Sequence, residues 1–281
     1  METKVASIAK EVLIGDERPT VLIGERINPT GKKKLAAALQ AGDLTLVKRE
    51  ALAQVQAGAD ILDVNVGAAG IDEVVLLPKA VQAVMDVVDV PLCLDSSNPQ
   101  ALAAALRVYK GKALINSVTG EEASLQQVLP LVKEHGAAVI GLAMGDEGIP
   151  NQASRRVEIA RHIIERSEAL GIPKEDVIID CLTLTVGADS QAGSATLDTV
   201  RQIKSELGVN LTLAASNISF GMPDRELLNG IFLAMAIASG ITCAIVDVAK
   251  VRPIVLAADL ALGRDDYGMR YIRAFRQRTS R

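Results

Sequence analysis

The segment ALGIPKEDVIID, Ala169–Asp180, contains the structural unit from which the whole chain is built. A helical pattern stops at Gly171, Pro173 opposes its resumption, and a β-branched apolar run then ends on a carboxylate. EHGAAVIGL, Glu134–Leu142, repeats the sequence of events: helix, glycine stop, apolar strand. Working outward, the same alternation predicts eight strands, at Val21–Asn28, Ile61–Gly67, Pro91–Ser96, Ala113–Val118, Ala137–Met144, Val177–Leu182, Asn210–Asn217 and Cys243–Val248. Amphipathic stretches such as Ala51–Gly58, Leu125–His135, Ser154–Leu170 and Arg225–Ser239 lie between them. The strands are near-continuous apolar runs, as parallel strands covered on both faces require. Eight strand–helix repeats in 281 residues predict a single-domain α/β fold of the (β/α)8 TIM-barrel type. A doubly wound open sheet is the alternative, but it usually has fewer strands, and no Gly-rich dinucleotide turn follows the first strand. Residues 1–20 read as an N-terminal extension. The barrel occupies 21–281, with 265–281 as a C-terminal helix.

Composition narrows the function classes. Trp is absent and aromatics make up 2% of residues, so the core must be aliphatic. A net charge of -4 argues against nucleic acid or an anionic membrane as partner. No apolar run is long enough to span a bilayer, and METKVASIAKEV has no secretory apolar region. Cys93, Cys181 and Cys243, odd in number and widely spaced, point to a reducing cytoplasm and to small core residues.

In a TIM barrel the C-terminal strand ends form the active face. Those ends read Glu25, Arg26 and Asn28; Asp63 and Asn65; Asp95, Ser96 and Asn98; Asn116 and Ser117; Asp180; Ser216 and Asn217; Asp247. Asp and Asn are also cap and turn residues, and any one alone reads as a cap. A cap, however, belongs after a strand, whereas Asp95, Asn116 and Asp180 sit within apolar runs. Buried polar groups need partners, and several converging on one mouth suggest a polar ligand. Carboxylates beside carboxamides suit a flat heterocycle with adjacent N–H donors and a carbonyl, the edge a pterin presents. They do not suit phosphate, because Arg, Lys and Gly-rich turns are missing from most of these ends. His135 and His162 fall on predicted helices, so no metal site is expected. The same set offers no Ser–His or Cys–His nucleophile pair. GKKK, Gly31–Lys34, reads as a solvated helix start that could also meet a glutamate tail. Arg270, Arg273, Arg276 and Arg278 read as a solvated helix face.

At these residues the chain resembles the pterin-binding methyltransferases, especially the methyltetrahydrofolate:corrinoid/iron–sulfur protein methyltransferases. The motifs IGERIN, LDVNVG, CLDSSN, INSV, GLAMGDEGIP, IIDCL and SNISFG occur in family order from Ile23 to about Asp247. The resemblance implies a TIM barrel in which Asp95, Asn116 and Asp180 hold the pterin. It places Asn217 near N5, with Ser216 and Arg225 beside it. Asp63, Asn65, Glu25 and Asn28 match motif positions with less distinct roles. It implies a cytoplasmic, homodimeric methyltransferase of one-carbon metabolism. The substrates are tetrahydrofolate and 5-methyltetrahydrofolate, and a partner protein carries the corrinoid (cobalamin). Neither histidine lies in the Asp-x-His-x-x-Gly context by which corrinoid modules ligate cobalt. The alternatives are a dihydropteroate synthase-like enzyme or a non-catalytic folate-binding protein. Against the first, the lysine after strand six and the Ser-Arg-Lys turn near the end are absent. Against the second, simple binding is already served without Asn217. An asparagine at that position explains itself chemically. Methyl loss leaves electron density on N5, and an uncharged carboxamide can donate a hydrogen bond there where a carboxylate would repel.

Overall fold

Gly136 and Gly171 adopt left-handed φ values of 58° and 75°, conformations that a side chain disfavours. They stop helices α5 (Glu122–His135) and α6 (Ala153–Ala169), and strands β7 (Ala138–Leu142) and β8 (Val177–Asp180) follow. In this computed structural model, which describes residues 1–279, the same step recurs around a barrel. The remaining barrel strands are β3 (Val21–Ile27), β4 (Ile61–Asn65), β5 (Leu92–Asp95), β6 (Leu114–Thr119), β9 (Asn210–Thr212) and β10 (Cys243–Val246). All pairings are parallel, in the order β10-β3-β4-β5-β6-β7-β8-β9. The circle is completed between β9 and β10 by an Ala214–Ile245 bridge, with Ile245 N donating to Leu213 O at 3.0 Å. The eight-stranded barrel expected from the sequence is therefore the fold.

Between strands lie α1 (Lys33–Gln40), α2 (Thr45–Ala57), α3 (Glu73–Met85), α4 (Pro99–Val108), α7 (Ala192–Leu207), α8 (Arg225–Ser239) and α9 (Val248–Ala261). A last helix, α10 (Met269–Thr279), follows a short 3-10 turn, Asp266–Gly268. Ser280 and Arg281, the end of the expected terminal helix, lie outside the described residues. Among the described residues no helix is long and apolar enough to cross a membrane.

Two-residue periodicity divides every strand. Outward residues such as Leu62, Leu94, Ile115, Val139 and Ile179 pack against the helices in one continuous aliphatic core. Inward residues make a second, smaller core, including Ile23, Ile61, Cys93, Leu114, Ile140 and Ile178. Residues 1–20, read as an extension, contain an antiparallel hairpin, β1 (Glu2–Ala6) and β2 (Glu11–Gly15). Its Val5, Val12 and Ile14 join the inner core and close the N-terminal end of the barrel. Asn210 fastens this plug, its Nδ2 donating to Ile14 O and Thr3 Oγ1, each at 2.9 Å.

Two expectations are corrected. The strand predicted over Asn210–Asn217 stops at Thr212, and Ala215–Ser219 curls into a 3-10 helix, where Asn217 N donates to Ala214 O at 3.2 Å. Arg270 is not merely a solvated residue: it donates at 3.1 Å to Asp259, a fully buried carboxylate that also binds Thr20 at the start of β3. That pairing ties α10 to the barrel.

Candidate active site

The inward phase that carries the apolar inner core continues towards the C-terminal mouth in polar residues. Ile23 is followed two residues later by Glu25, Ile61 by Asp63 and then Asn65, Cys93 by Asp95, Leu114 by Asn116, and Ile178 by Asp180. One period-two rule thus builds both the inner core and a polar layer above it.

Asp63, 2% exposed, lies below the partly exposed Asp95. Asn116 Nδ2 donates to Asp63 Oδ1 at 3.1 Å, and Asp63 and Asp95 are in hydrogen-bonding contact with each other. Burial, then the neighbouring Asp95, raises Asp63 well above the usual carboxylate range. Burial also raises Asp95, although hydrogen bonds from Asn65 and Asp63 oppose the shift. The pairing of β6 with β7 shifts register between Asn116 and Val118, where the Asn116–Ser117 peptide is cis.

Asp180 is 5% exposed and accepts from Leu182 N at 2.7 Å. Burial pushes its pKa up to about 6, against the hydrogen bond from Leu182 and the charge of Arg156. Arg156, 1% exposed, was not singled out by sequence reasoning. Its guanidinium donates to Cys181 O (2.9 Å), Leu182 O (2.8 Å) and Pro150 O (2.6 Å), holding the turn that follows Asp180.

The 3-10 helix carries Ser216 and Asn217. Arg225, the first residue of α8, steadies it: Nε donates to Ser219 Oγ at 2.9 Å and Nη2 to Ser216 O at 3.0 Å. The same guanidinium stacks over Phe220, 4.7 Å from the ring centre. The helix α8 begins after Asp224, so Asn217 is not its cap. Among the described residues, no partner binds the Asn217 carboxamide.

A cavity of about 450 Å³ opens beside this helix, lined by Glu25, Arg26, Ser216, Arg225, Asp247 and Lys250 among others. Arg26 lies 3.6 Å from Asp247 and 3.4 Å from Glu50. Burial, then Asp247, raises Glu25. Lys32, from the GKKK stretch, donates to Arg26 O at 2.9 Å and is lowered by burial and by Arg26. Asn28 stands apart from this group: its Oδ1 accepts from Thr30 N at 2.9 Å, which makes a local turn. Glu73 of α3, also missed in the sequence, accepts from Ser96 Oγ at 2.6 Å.

Among the described residues no group of His, Cys, Asp and Glu is arranged to hold a metal ion. His162 is on the outer helix α6, 3.2 Å from Glu122, and His135 ends α5. Cys93 and Cys243 are buried in the inner core and Cys181 in the outer one.

A family model described as pterin binding enzyme matches residues 24–247, most of the barrel and every strand end just described. The chain belongs to the pterin-binding enzyme family. Within reach of this family, it is 29% identical to the methylcorrinoid:tetrahydrofolate methyltransferase of Eubacterium limosum, over 92% of this chain and 96% of that protein. It is 32% identical to the methionine synthase of Mycobacterium leprae (strain TN) over 90% of this chain, yet that match spans only 22% of the synthase. Among solved structures, dihydropteroate synthase from Xanthomonas albilineans in complex with 7,8-dihydropteroate superposes with a TM-score of 0.66. The superposition covers 92% of this chain and 98% of that one, and at 16% identity it speaks for the shared barrel alone.

The raised pKa of Asp180 has a consequence for stability. The unfolded chain ionises this carboxyl from about pH 4, whereas the folded protein holds its proton to about pH 6. The folded state therefore binds more protons between those values, and its stability falls as pH rises through them. Asp180→Asn removes that penalty and should stabilise the protein at neutral pH by up to about 3 kcal/mol. The gain should shrink as pH is lowered towards about 4. Urea unfolding of both proteins across this range checks it; a pH-independent difference, or a less stable Asn variant at neutral pH, contradicts the assignment.

Proposed function

We propose that this chain transfers a methyl group between N5 of 5-methyltetrahydrofolate and a corrinoid carried by a separate protein. The observation that carries the reading is the unpartnered carboxamide of Asn217 at the strand-end face whose inward layer is Asp63, Asp95, Asn116 and Asp180. The Eubacterium limosum relative, matched along nearly its whole length, is named for this reaction. The lysine expected of a pterin-condensing enzyme after strand six is missing: the sequence there is CLTLTVGADS.

In this reading Asp95, Asn116 and Asp180 bind the pterin edge. Ionised Asp95 and Asp180 accept from its N–H groups. Asn116, its Nδ2 committed to Asp63, keeps its carbonyl oxygen for a further donor. Asp63 supports Asp95 from below and Asn65 from beside it. Asn217 donates a hydrogen bond to N5 as the N–C bond breaks and the methyl passes to the corrinoid cobalt. The proton that N5 then takes comes through water or a nearby carboxyl group. Arg225 and Ser216 hold the 3-10 turn on which Asn217 rides. Glu25 lines the adjoining cavity, and Asn28, whose Oδ1 holds its loop, keeps its Nδ2 for the ligand. The corrinoid, brought by its partner protein as co-substrate, supplies the cobalt that takes or gives the methyl group. This chain's own donor set does not fit cobalt ligation, because its two histidines lie on outer helices.

We also propose a cytoplasmic homodimer, with 1–20 as an extension to a barrel domain of 21–281. Its contact would use the outer face of α8 and α9, where Leu227, Ile231 and Met235 are exposed beside an apolar groove of about 650 Å³. That choice leaves the mouth open to a bulky corrinoid partner. Light scattering at micromolar concentration should give twice the chain mass of 29.6 kDa. A wild-type monomer, or a dimer unaffected by Leu227→Glu together with Ile231→Glu, contradicts the contact.

Asn217 and Asp95 should fail differently when changed. A donor used mainly in the transition state shows in rate more than in affinity. In single-turnover transfer from methyltetrahydrofolate to Co(I) cobalamin, Asn217→Ala should be slower by roughly 10²–10³. Asn217→Asp should be slow as well, since an ionised carboxylate offers no donor. Asp95→Ala should instead weaken folate binding about ten- to a hundredfold. A near-normal rate in Asn217→Asp at neutral pH, or normal binding in Asp95→Ala, refutes the corresponding role.

A further inference from the structure

Asp63 is out of reach of solvent, and its surroundings are unusual for a carboxylate. It faces Cys93 and Asp95 on β5 and Asn116 on β6. Glu73, on α3, adds its negative charge near Asp95, and Cys243 shares the inner core with Cys93. Among the described residues no Lys, Arg or His lies within salt-bridge distance of either Asp63 or Asp95. Two carboxylates in hydrogen-bonding contact, buried and without a cation, cannot both be ionised at modest cost.

We propose that Asp63 is a neutral carboxylic acid at neutral pH, and that its O–H donates to Asp95 and thereby positions Asp95 as the ionised acceptor for the ligand. Depth assigns the proton to this member of the pair: Asp63 is 2% exposed, whereas Asp95 is partly exposed. One Asp63 oxygen accepts from Asn116 Nδ2 and serves as the acid's carbonyl, which leaves the other as hydroxyl. Asp95 is the more exposed of the two and receives a further donor, Asn65. Charge is better tolerated there, where water or a ligand can reach it. Asp63 is thus a positioning residue. One proton decides which face of the pair donates and which accepts. A pterin edge rich in N–H donors meets a fixed acceptor instead of a pair that could present a hydroxyl.

The inference rests on the proposed pterin site, and its test separates the two. Infrared difference spectra of the ligand-free protein near neutral pH, wild type minus Asp63→Asn, should contain a carboxylic-acid C=O band above the amide I region. That band should shift in D₂O. Tetrahydrofolate affinity should be nearly retained in Asp63→Asn, whose amide keeps both a carbonyl and a donor. It should fall about tenfold in Asp63→Ala, which loses the hydrogen bonds to Asp95 and Asn116. Asp95→Asn, which removes the acceptor charge, should lose about ten- to a hundredfold. An absent acid band overturns the proposal, as does an Asp63→Asn loss equal to that of Asp95→Asn in a protein with unchanged melting behaviour. If wild type fails to bind tetrahydrofolate while the acid band is present, the pterin reading fails and the protonated Asp63 stands.

Discussion

Inside a closed parallel barrel, every second residue of every strand has nowhere to go but inward. That constraint organises the molecule. Towards the N-terminal end it brings aliphatic side chains together, and the hairpin of residues 2–15 supplies Val5, Val12 and Ile14 to complete them. Towards the C-terminal end the same phase delivers Asp63, Asp95, Asn116 and Asp180. The strands cannot move a carboxylate out of this layer by one residue without turning their whole apolar set to the wrong face. The polar layer is therefore as firmly specified as the core beneath it.

Placing acids there is costly, and the cost appears in their titration. Burial is the leading cause of the upward shifts at Asp63, Asp95 and Asp180. A protein selected for stability alone would fill these positions with apolar groups. Retaining acids where they are disfavoured is characteristic of sites that bind or react. The surrounding structure moderates the penalty without removing it. Arg156 reaches Asp180 through the carbonyls of the turn that follows it, and Asn65 and Asn116 supply amide donors to the Asp63–Asp95 pair. The 3-10 turn of Ser216 and Asn217 differs in kind: its backbone is held by Arg225, while the Asn217 amide remains available.

The barrel was legible in the sequence because its strands are short β-branched apolar runs bracketed by glycine stops, a signal local to each strand. Asp95, Asn116 and Asp180 were legible for a related reason, being charged or amide groups embedded in those runs. The hairpin was not, since ETKVA and EVLIG are brief alternating stretches that become strands only by pairing with each other and capping the barrel. Asn217 was placed on a strand because LTLAAS continues the apolar pattern; the departure into a 3-10 turn comes from the chain leaving the sheet after Thr212. Arg156 looks like its neighbour Arg155 in sequence, and only the loop carbonyls folded against it make it a buried cation. Asn28 has a second, local task that its place at a strand end does not announce: its Oδ1 accepts from Thr30 N and shapes the turn.

The central claim is that this inward polar layer is a pterin site served by Asn217. A crystal structure of the protein with bound tetrahydrofolate tests it most directly. The account predicts the pterin ring within the C-terminal mouth, its N–H edge on Asp95 and Asp180, Asn116 on the same edge, and N5 within hydrogen-bonding reach of the Asn217 amide. A pterin bound with its edge away from Asp95 and Asp180, or with N5 out of reach of Asn217, would contradict it.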